Sequence, residues 1–290
     1  MKQTNAEKLK LVTAMVLFGT IGLFVRYIDL PSSIIALARG VVGMLFLLAV
    51  ILLRGNKISG EAVKKNLLWL ILSGACLGMN WILLFEAYRF TTVATATLCY
   101  YLAPIIVIAV SPILLKEKLT LRKVLCTIVA LVGMVMVSGV VQNGIPSFAE
   151  AKGILFGLGA AVLYAGIMLL NKKIHDISAY DKTVVQLGIS AIVLIPYCLL
   201  TEDISSLHIS PQVLVLLLLV GVVHTGVTYF LYFGSMGHLP AQTVAIVSYV
   251  DPVVAVLISI FILGEGMNAF GVIGAVLVLG AALVSEIGEN

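Results

Sequence analysis

Two ionisable side chains, Arg39 and Asp251, stand inside long apolar stretches of this sequence. If those stretches cross a bilayer, a charge at their centre costs about 2.5–3.5 kcal/mol on insertion scales, and such residues are functional candidates by default. Arginine can bind a carboxylate or a phosphate through two parallel hydrogen bonds, whereas an aspartate can hold an ammonium group or take up a proton. The two residues therefore predict a binding site for a charged or zwitterionic solute.

Each of these charged residues also has a structural explanation. Asp251 could cap backbone freed by the neighbouring Pro252, and Arg39 could form an ion pair or extend to the outer interface. Glu86 lies three residues before Arg89, so a salt bridge on one helix face is expected. Pairing with Arg39 or gating is the functional alternative for Glu86.

Aromatic and neutral polar residues extend the set of candidates. Aromatic faces can hold organic cations or stack on planar solutes, although core packing explains any one of them alone. His224 can titrate near neutral pH, which suits proton coupling, but an interhelical hydrogen bond explains it equally well. The candidate solute-binding residues are Arg39, Asn80, Trp81, Tyr100, Tyr101, Gln186, His224, Tyr229, Ser248, Tyr249 and Asp251.

Composition predicts the elements that must position these side chains. The 290 residues are 61% hydrophobic and 11% charged, whereas about a quarter of residues are charged in a soluble domain. A bilayer-spanning helix needs about 20 mostly apolar residues. The sequence therefore predicts an all-α, polytopic membrane protein with ten transmembrane helices, at 9–29, 33–53, 67–88, 93–114, 121–140, 153–171, 183–200, 211–236, 241–263 and 268–285.

The basic residues predict orientation rather than a nucleic-acid partner. Lys and Arg concentrate in short loops on the cytoplasmic side of membrane proteins. With the amino terminus inside, fourteen of the eighteen basic residues fall on that side. We therefore expect a multi-pass protein of the cell (inner or plasma) membrane with both termini cytoplasmic, whose partners are the lipid bilayer and a small-molecule substrate.

Two segments of the chain carry the same pattern. Adding 148 to the numbers of one set of residues gives the second set: Gly78, Phe85, Thr95, Tyr101, Pro104 and Glu117 become Gly226, Phe233, Thr243, Tyr249, Pro252 and Glu265. This predicts two repeats, 1–145 and 146–290, of five spans each. An odd number of spans places the second copy upside down relative to the first, as in many transporters.

Pro104 and Pro252 are candidate kink or gating residues, together with Glu86. A proline removes one helix hydrogen bond and clashes with the preceding turn, so the fourth and ninth spans should bend. Carbonyl groups freed at bilayer depth must face protein or water, which favours a central cavity between the repeats. The alternative is that prolines are simply frequent in membrane helices.

These features together resemble the EamA family of the drug/metabolite transporter superfamily. The resemblance rests on ten spans, Phe18-Gly19, the second-span Arg39 and the repeated Pro…Glu segments. Lys116-Glu117 replaces the Gly-Glu that is frequent in the family, and Gly264-Glu265 matches it. The resemblance implies solute transport by alternating access, often metabolite or amino-acid export, without fixing the substrate.

The leading prediction is therefore a secondary-active or facilitative transporter of a small polar or zwitterionic, amino-acid-like metabolite, with export as the expected direction and protons as a candidate coupling ion. One alternative is a carrier of an anionic, phosphate-bearing metabolite such as a nucleotide sugar. Another is a membrane receptor or scaffold that transports nothing. No enzyme motif such as H-E-x-x-H or G-x-S-x-G occurs, and four isolated cysteines give no metal-ligand spacing, so no enzyme activity, cofactor or metal is expected.

Overall fold

A computed structural model describes residues 2–91, 96, 99–137, 151–262 and 269–286. The described residues form helices joined by short turns, and no strand occurs among them. Glu265 and Gly264 of the second Pro…Glu segment lie outside these ranges, as does Thr95. The α-helices are α1 (Lys2–Val25), α2 (Ser32–Leu53), α3 (Gly60–Lys65), α4 (Leu67–Phe90), α5 (Ala103–Leu114), α6 (Leu121–Val137), α7 (Ala151–Asn171), α8 (Ala179–Thr201), α9 (Pro211–Leu219), α10 (Thr228–Met236), α11 (Ala241–Val247), α12 (Val250–Phe261) and α13 (Ala269–Glu286).

Several helices are long and apolar enough to cross a membrane. Six segments meet both conditions: Thr4–Val25, Ser32–Leu53, Leu67–Phe90, Ala151–Asn171, Ala179–Thr201 and Pro211–Met236. Shorter apolar helices cover Ala103–Leu114, Ala241–Ala255 and Ala269–Ser285. The prediction of an all-helical polytopic membrane protein is confirmed, and the count of ten spans stays a prediction.

Local sequence signals explain where several helices begin. The Ser178 hydroxyl accepts a hydrogen bond from the Asp181 amide at the start of α8, and Ser210 does the same for Val213 in α9. Such a cap satisfies one of the amides that a helix leaves free in its first turn. Pro211 then occupies the first helical position, where its missing N–H costs nothing.

The fourth and ninth predicted spans are interrupted just before their prolines. Residues 248 and 249 form a turn between α11 and α12, and residues 101 and 102 form a turn before α5. Pro252 and Pro104 thus lie in the first turn of the helix that follows. An amide in the first turn has no intrahelical partner, so proline is tolerated there. Each interruption brings a short stretch of non-helical backbone next to the candidate site.

Several helix pairs that pack together recur in the two halves of the chain. In one set, α4 packs on α7 and on α8. At the repeat spacing, α4 corresponds to the π-helix Val220–Val227 and α10, α7 to α1, and α8 to α2. These counterparts also pack together: α10 on α1, and the π-helix on α2. Likewise α5 packs on α7, and α12 packs on α1. Exchanging the two halves of the chain therefore reproduces these packing pairs.

Glycines permit the closest of these contacts. A Cβ atom added to Gly43 in α2 would lie 2.9 Å from the Gly226 nitrogen and 3.0 Å from the Gly221 oxygen. One added to Gly78, the repeat counterpart of Gly226, would lie 2.8 Å from the Ser190 oxygen. Small residues allow helix backbones to approach in this way inside membranes, so the two contacts fix α2 and α8 against their neighbours.

We predict that Gly43→Ala lowers the free energy of unfolding by about 1–3 kcal/mol, because the methyl group meets backbone atoms that cannot move aside. Thermal unfolding of the detergent-solubilised protein measures this. The control is Gly280→Ala in α13, where an added Cβ meets nothing within 4 Å and where alanine is the better helix former. Equal melting temperatures for the two variants would contradict the assigned contact.

Candidate functional site

A cavity of about 470 Å³ lies between helices of the two halves, and it contains six of the eleven candidate binding residues. Its walls come from α1, α2, α4, α7 and α10, from the turn before α5 and from the first turn of α12. The six are Arg39, Trp81, Tyr100, Tyr101, Tyr229 and Asp251. The volume falls within the range of about 300–1,000 Å³ that is typical of small-molecule sites.

Arg39 reaches the cavity from the middle of α2. Its Cζ atom lies 4.5 Å from the centroid of the Trp81 ring, which is a cation–π geometry. The Nε atom is buried without a hydrogen-bond partner among the described residues. None of the ion pairs in the described ranges involves Arg39. Among the described residues the guanidinium thus has no carboxylate partner, and its N–H groups are of the kind that bind an anion.

Asp251 reaches the cavity from the first turn of α12. Its Oδ2 atom accepts a hydrogen bond of 3.1 Å from the Tyr101 hydroxyl. Tyr249, the repeat counterpart of Tyr101, donates its hydroxyl to the Tyr101 carbonyl oxygen at 3.1 Å. Gly19 in α1 lies so close to the α12 backbone that an added Cβ would be 2.5 Å from the Asp251 carbonyl oxygen. The carboxylate is thus held at the wall by one hydroxyl and keeps further acceptor capacity.

Aromatic rings form much of the remaining wall. Tyr100 stacks on Tyr164 with ring centroids 5.1 Å apart and planes at 8°, and the Tyr232 hydroxyl donates to the Tyr164 hydroxyl at 3.0 Å. Tyr229 makes an edge contact with Trp81 at 6.0 Å between centroids. These contacts fix one another's ring orientations. The cavity is therefore apolar along its sides, with hydroxyl groups and two opposite charges as its polar features.

The other five candidate binding residues lie off the cavity wall and are bonded to protein: Asn80, Gln186, His224, Ser248 and Tyr249. The Asn80 amide donates to the Ala160 carbonyl at 2.7 Å, between α4 and α7. The Ser248 hydroxyl donates to the Val244 carbonyl one turn before it, at 2.8 Å. Each of these buried side chains thus has a backbone carbonyl as its hydrogen-bond partner, in surroundings that are otherwise apolar.

Gln186 and His224 also bind neighbouring side chains. Gln186, the repeat counterpart of Arg39, donates to the Ser73 hydroxyl and to Asn171 Oδ1 at 3.2 Å. The Nε2 atom of His224 lies 2.9 Å from the Thr20 hydroxyl oxygen. His224 belongs to the π-helix, a rare conformation that often marks functional positions. In this structure both residues connect helices.

The candidate gating residues occupy two different settings. Glu86 accepts hydrogen bonds from Arg89 at 2.9 Å and from the Tyr197 hydroxyl, and so joins α4 to α8. The ion pair expected from its spacing is thus present. Pro104 and Pro252 are buried in the first turns of α5 and α12.

Among the described residues, no three His, Cys, Asp or Glu side chains gather where they could hold a metal ion.

Sequence reasoning left out some residues that line the cavity, including Tyr164 and Tyr232. Two signals could have found them. Tyr164 corresponds to the cavity residue Phe18 at a repeat spacing of 146. Tyr232 follows Tyr229 by three residues, and residues at that spacing share a helix face.

Comparison with known proteins adds a family match. The model of the EamA-like transporter family matches residues 8–139 and again residues 151–286. "Uncharacterized transporter YxxF" of Bacillus subtilis (strain 168) is 31% identical over 96% of this chain and 88% of its own length. An "Uncharacterized transporter" of Archaeoglobus fulgidus is 26% identical over 95% of this chain and 94% of its own.

A solved structure supports the fold alone. One crystal structure of a protein with 18% sequence identity superposes with a TM-score of 0.87, covering 97% of this chain and 96% of the other.

Two adjacent residues should separate a structural role from a binding role. Asn80→Ala removes a buried hydrogen bond, so we expect a loss of about 1 kcal/mol of stability with solute affinity unchanged. Trp81→Ala removes the ring under the Arg39 guanidinium, so affinity should fall. The measurement is thermal unfolding with and without a solute that stabilises the wild-type protein. Loss of the solute-induced shift in Asn80→Ala would contradict this assignment.

Proposed function

Because this chain belongs to the EamA-like transporter family of the drug/metabolite transporter superfamily, we propose that it carries a small polar or zwitterionic metabolite of amino-acid type. The chain is a multi-pass membrane transporter and not an enzyme. One observation carries the substrate proposal: Arg39, which has no ion-pair partner among the described residues, and Asp251 share one aromatic cavity.

Each end of a zwitterion has a partner in this cavity. A substrate carboxylate can accept two hydrogen bonds from the Arg39 guanidinium, the geometry that arginine favours. The substrate ammonium can bind the Asp251 carboxylate or an aromatic face nearby. Two groups of opposite charge orient the solute, while the apolar walls tolerate different side chains. The proposed class is therefore defined by its two charged groups.

We propose that residues 1–145 and 146–290 are two inverted repeats of five spans, ten in all. The double match to the family model and the exchange of packing pairs between the halves support this arrangement. With the basic loops inside, both termini are cytoplasmic and the protein lies in the cell membrane. An interface between inverted repeats is where transporters bind their substrates.

The cavity lies toward one end of the helix bundle. Gly153 at the start of α7 abuts Thr91 just after α4, whereas His175, beyond the end of α7, bonds Asn66 just before α4. Tyr88, near the Thr91 end of α4, lines the cavity. Access from that end, which the charge distribution predicts to be external, corresponds to one of the two states of alternating access.

The opposite end is held by contacts between the two halves. The Glu117 carboxylate, just beyond α5, accepts hydrogen bonds from the Ala241 amide at 2.7 Å and the Gln242 amide at 3.2 Å. The Gln242 side chain donates to the Ser111 hydroxyl at 2.9 Å. A carboxylate in this position satisfies free amides and favours the helix dipole. We propose that these contacts close the cytoplasmic gate, and that their release permits export.

A phosphate-bearing metabolite is the second candidate. Arg39 favours it, because a guanidinium binds phosphate as readily as carboxylate. Arg39 is however the one basic residue among the described residues that line the cavity, while a doubly charged phosphate usually meets several.

Protons remain the proposed coupling ion for either substrate, with Asp251 as the group that would carry them.

Counterflow of labelled metabolites into liposomes containing the purified protein tests the proposed substrate. Arg39→Gln should lower kcat/KM for amino acids by about 10–100-fold, the loss expected when a charge-assisted hydrogen bond disappears. Arg39→Lys should retain part of the activity. Lys57→Gln, on an exposed loop, is the control for charge.

Three results would count against this substrate. Flux of phosphate esters alone would favour the second candidate. Amino-acid flux that is indifferent to Arg39→Gln would refute the assigned role of Arg39. Binding without flux for every solute would favour a receptor.

If Glu117 holds the proposed cytoplasmic gate closed, its removal should increase access from that end. Glu117→Ala removes the cap of α11, worth about 0.5–2 kcal/mol, so the end bearing Glu117 should open more often. A Val107→Cys reporter in a variant without the four native cysteines should then react about fivefold faster with a maleimide. The neighbouring exposed Lys118→Ala is the control. Unchanged labelling in Glu117→Ala would show that the contact does not hold the gate.

A further inference from the structure

A second cavity, of about 590 Å³, lies at the end of the bundle that bears Glu117. It is formed by the end of α5 and the connection after it (residues 114–117), by residues 172–175 after α7 and by residues 237–240 after α10. We propose that this cavity binds a phosphate group, as carried by an anionic lipid headgroup or by a soluble phosphate compound. The proposal does not depend on which solute the central cavity transports.

The charges in this cavity favour an anion. Lys116, Lys172 and Lys173 line it, together with His175 and His238. Its one acidic lining residue among those described is Glu117, and backbone amides occupy both oxygens of that carboxylate. The Glu117 charge acts on Lys172, but no ion pair among the described residues joins Glu117 to Lys116 or Lys173. A phosphate can pair with these two ammonium groups.

The walls of the cavity are fixed by hydrogen bonds. The Lys172 ammonium donates to the Leu239 carbonyl at 2.6 Å and to the Met236 carbonyl at 3.3 Å. The Asn66 side chain binds both backbone groups of His175, at 2.8 and 3.1 Å. Next to it, the Lys65 ammonium pairs with Asp176 at 2.8 Å and holds the pKa of that carboxyl below its ordinary value. These hydrogen bonds hold in place the loops that carry the basic side chains.

Lys116 gives an independent indication of function. Its φ angle is 57°, in the left-handed region where a side chain is unfavourable and glycine is the usual residue. The repeat counterpart of Lys116, at a spacing of 148, is Gly264. The first half therefore has a strained lysine where the second half has the residue that suits this backbone. An anion bound by the exposed ammonium explains why lysine is tolerated.

The surroundings favour a lipid as the source of the phosphate. Leu114 lines the cavity and is 53% exposed, and Ile113 beside it is 80% exposed. These side chains continue the apolar surface of α5 up to the basic groups. A headgroup in the cavity would therefore leave acyl chains lying along α5. Basic pockets at the ends of transmembrane helices commonly bind anionic lipids in this way.

The experiment compares ligands on the detergent-solubilised full chain by isothermal titration. The probes are dioctanoyl phosphatidylglycerol, dioctanoyl phosphatidylcholine and inorganic pyrophosphate. The test variant is Lys116→Gly with Lys173→Gln, because glycine removes the charge while relieving the backbone. The control, Lys57→Gln with Lys64→Gln, removes two exposed charges outside the cavity.

Anion affinity should fall about tenfold in the test variant, as expected for losing a charge-assisted hydrogen bond, and should change little in the control. The melting temperature of the test variant without ligand should not fall, which separates lost binding from unfolding. Binding of phosphatidylglycerol alone would support the proposal with a lipid source, and binding of pyrophosphate as well would support it with a soluble source. Equal affinity for phosphatidylcholine, no anion binding, or equal losses in both variants would overturn it.

Discussion

The permanent charge of Arg39 inside an apolar helix is the constraint around which the central cavity is organised. A guanidinium does not lose its proton in a protein, so the surroundings must accommodate the charge. Trp81 provides an aromatic face for it, and the hydroxyl-bearing wall beyond provides dipoles. The resulting environment tolerates the charge without neutralising it, so a solute with an anionic group would gain by binding there.

The interrupted helices answer a second requirement. Non-helical backbone at bilayer depth must find its hydrogen bonds inside the protein. Tyr249 supplies one directly, by donating to the Tyr101 carbonyl within the turn before α5. Tyr101 in turn donates to Asp251. Groups that repair the broken backbone are therefore the same groups that present a carboxylate to the cavity, so the local structure and the site cannot be separated.

The sequence was sufficient to predict a helical membrane fold, and it singled out Arg39, Asp251 and Tyr229, which line one cavity, because charge and proline inside apolar stretches are unusual. It could not predict which face each polar residue presents. Asn80 and Trp81 are neighbours, about 100° apart around α4, yet one bonds α7 and the other lines the cavity. Apolar stretches in a membrane carry little facial pattern, because lipid and protein core are equally apolar.

Arg39 and Gln186 occupy equivalent positions in the two halves but have different surroundings. One is charged and faces the cavity, and the other is neutral and bonded to Ser73 and Asn171. Two conformations that interchange the halves would be equal in energy only if the halves had identical side chains. If the two halves exchange roles during transport, as we propose, differences such as this pair would bias the empty protein toward one of its two orientations.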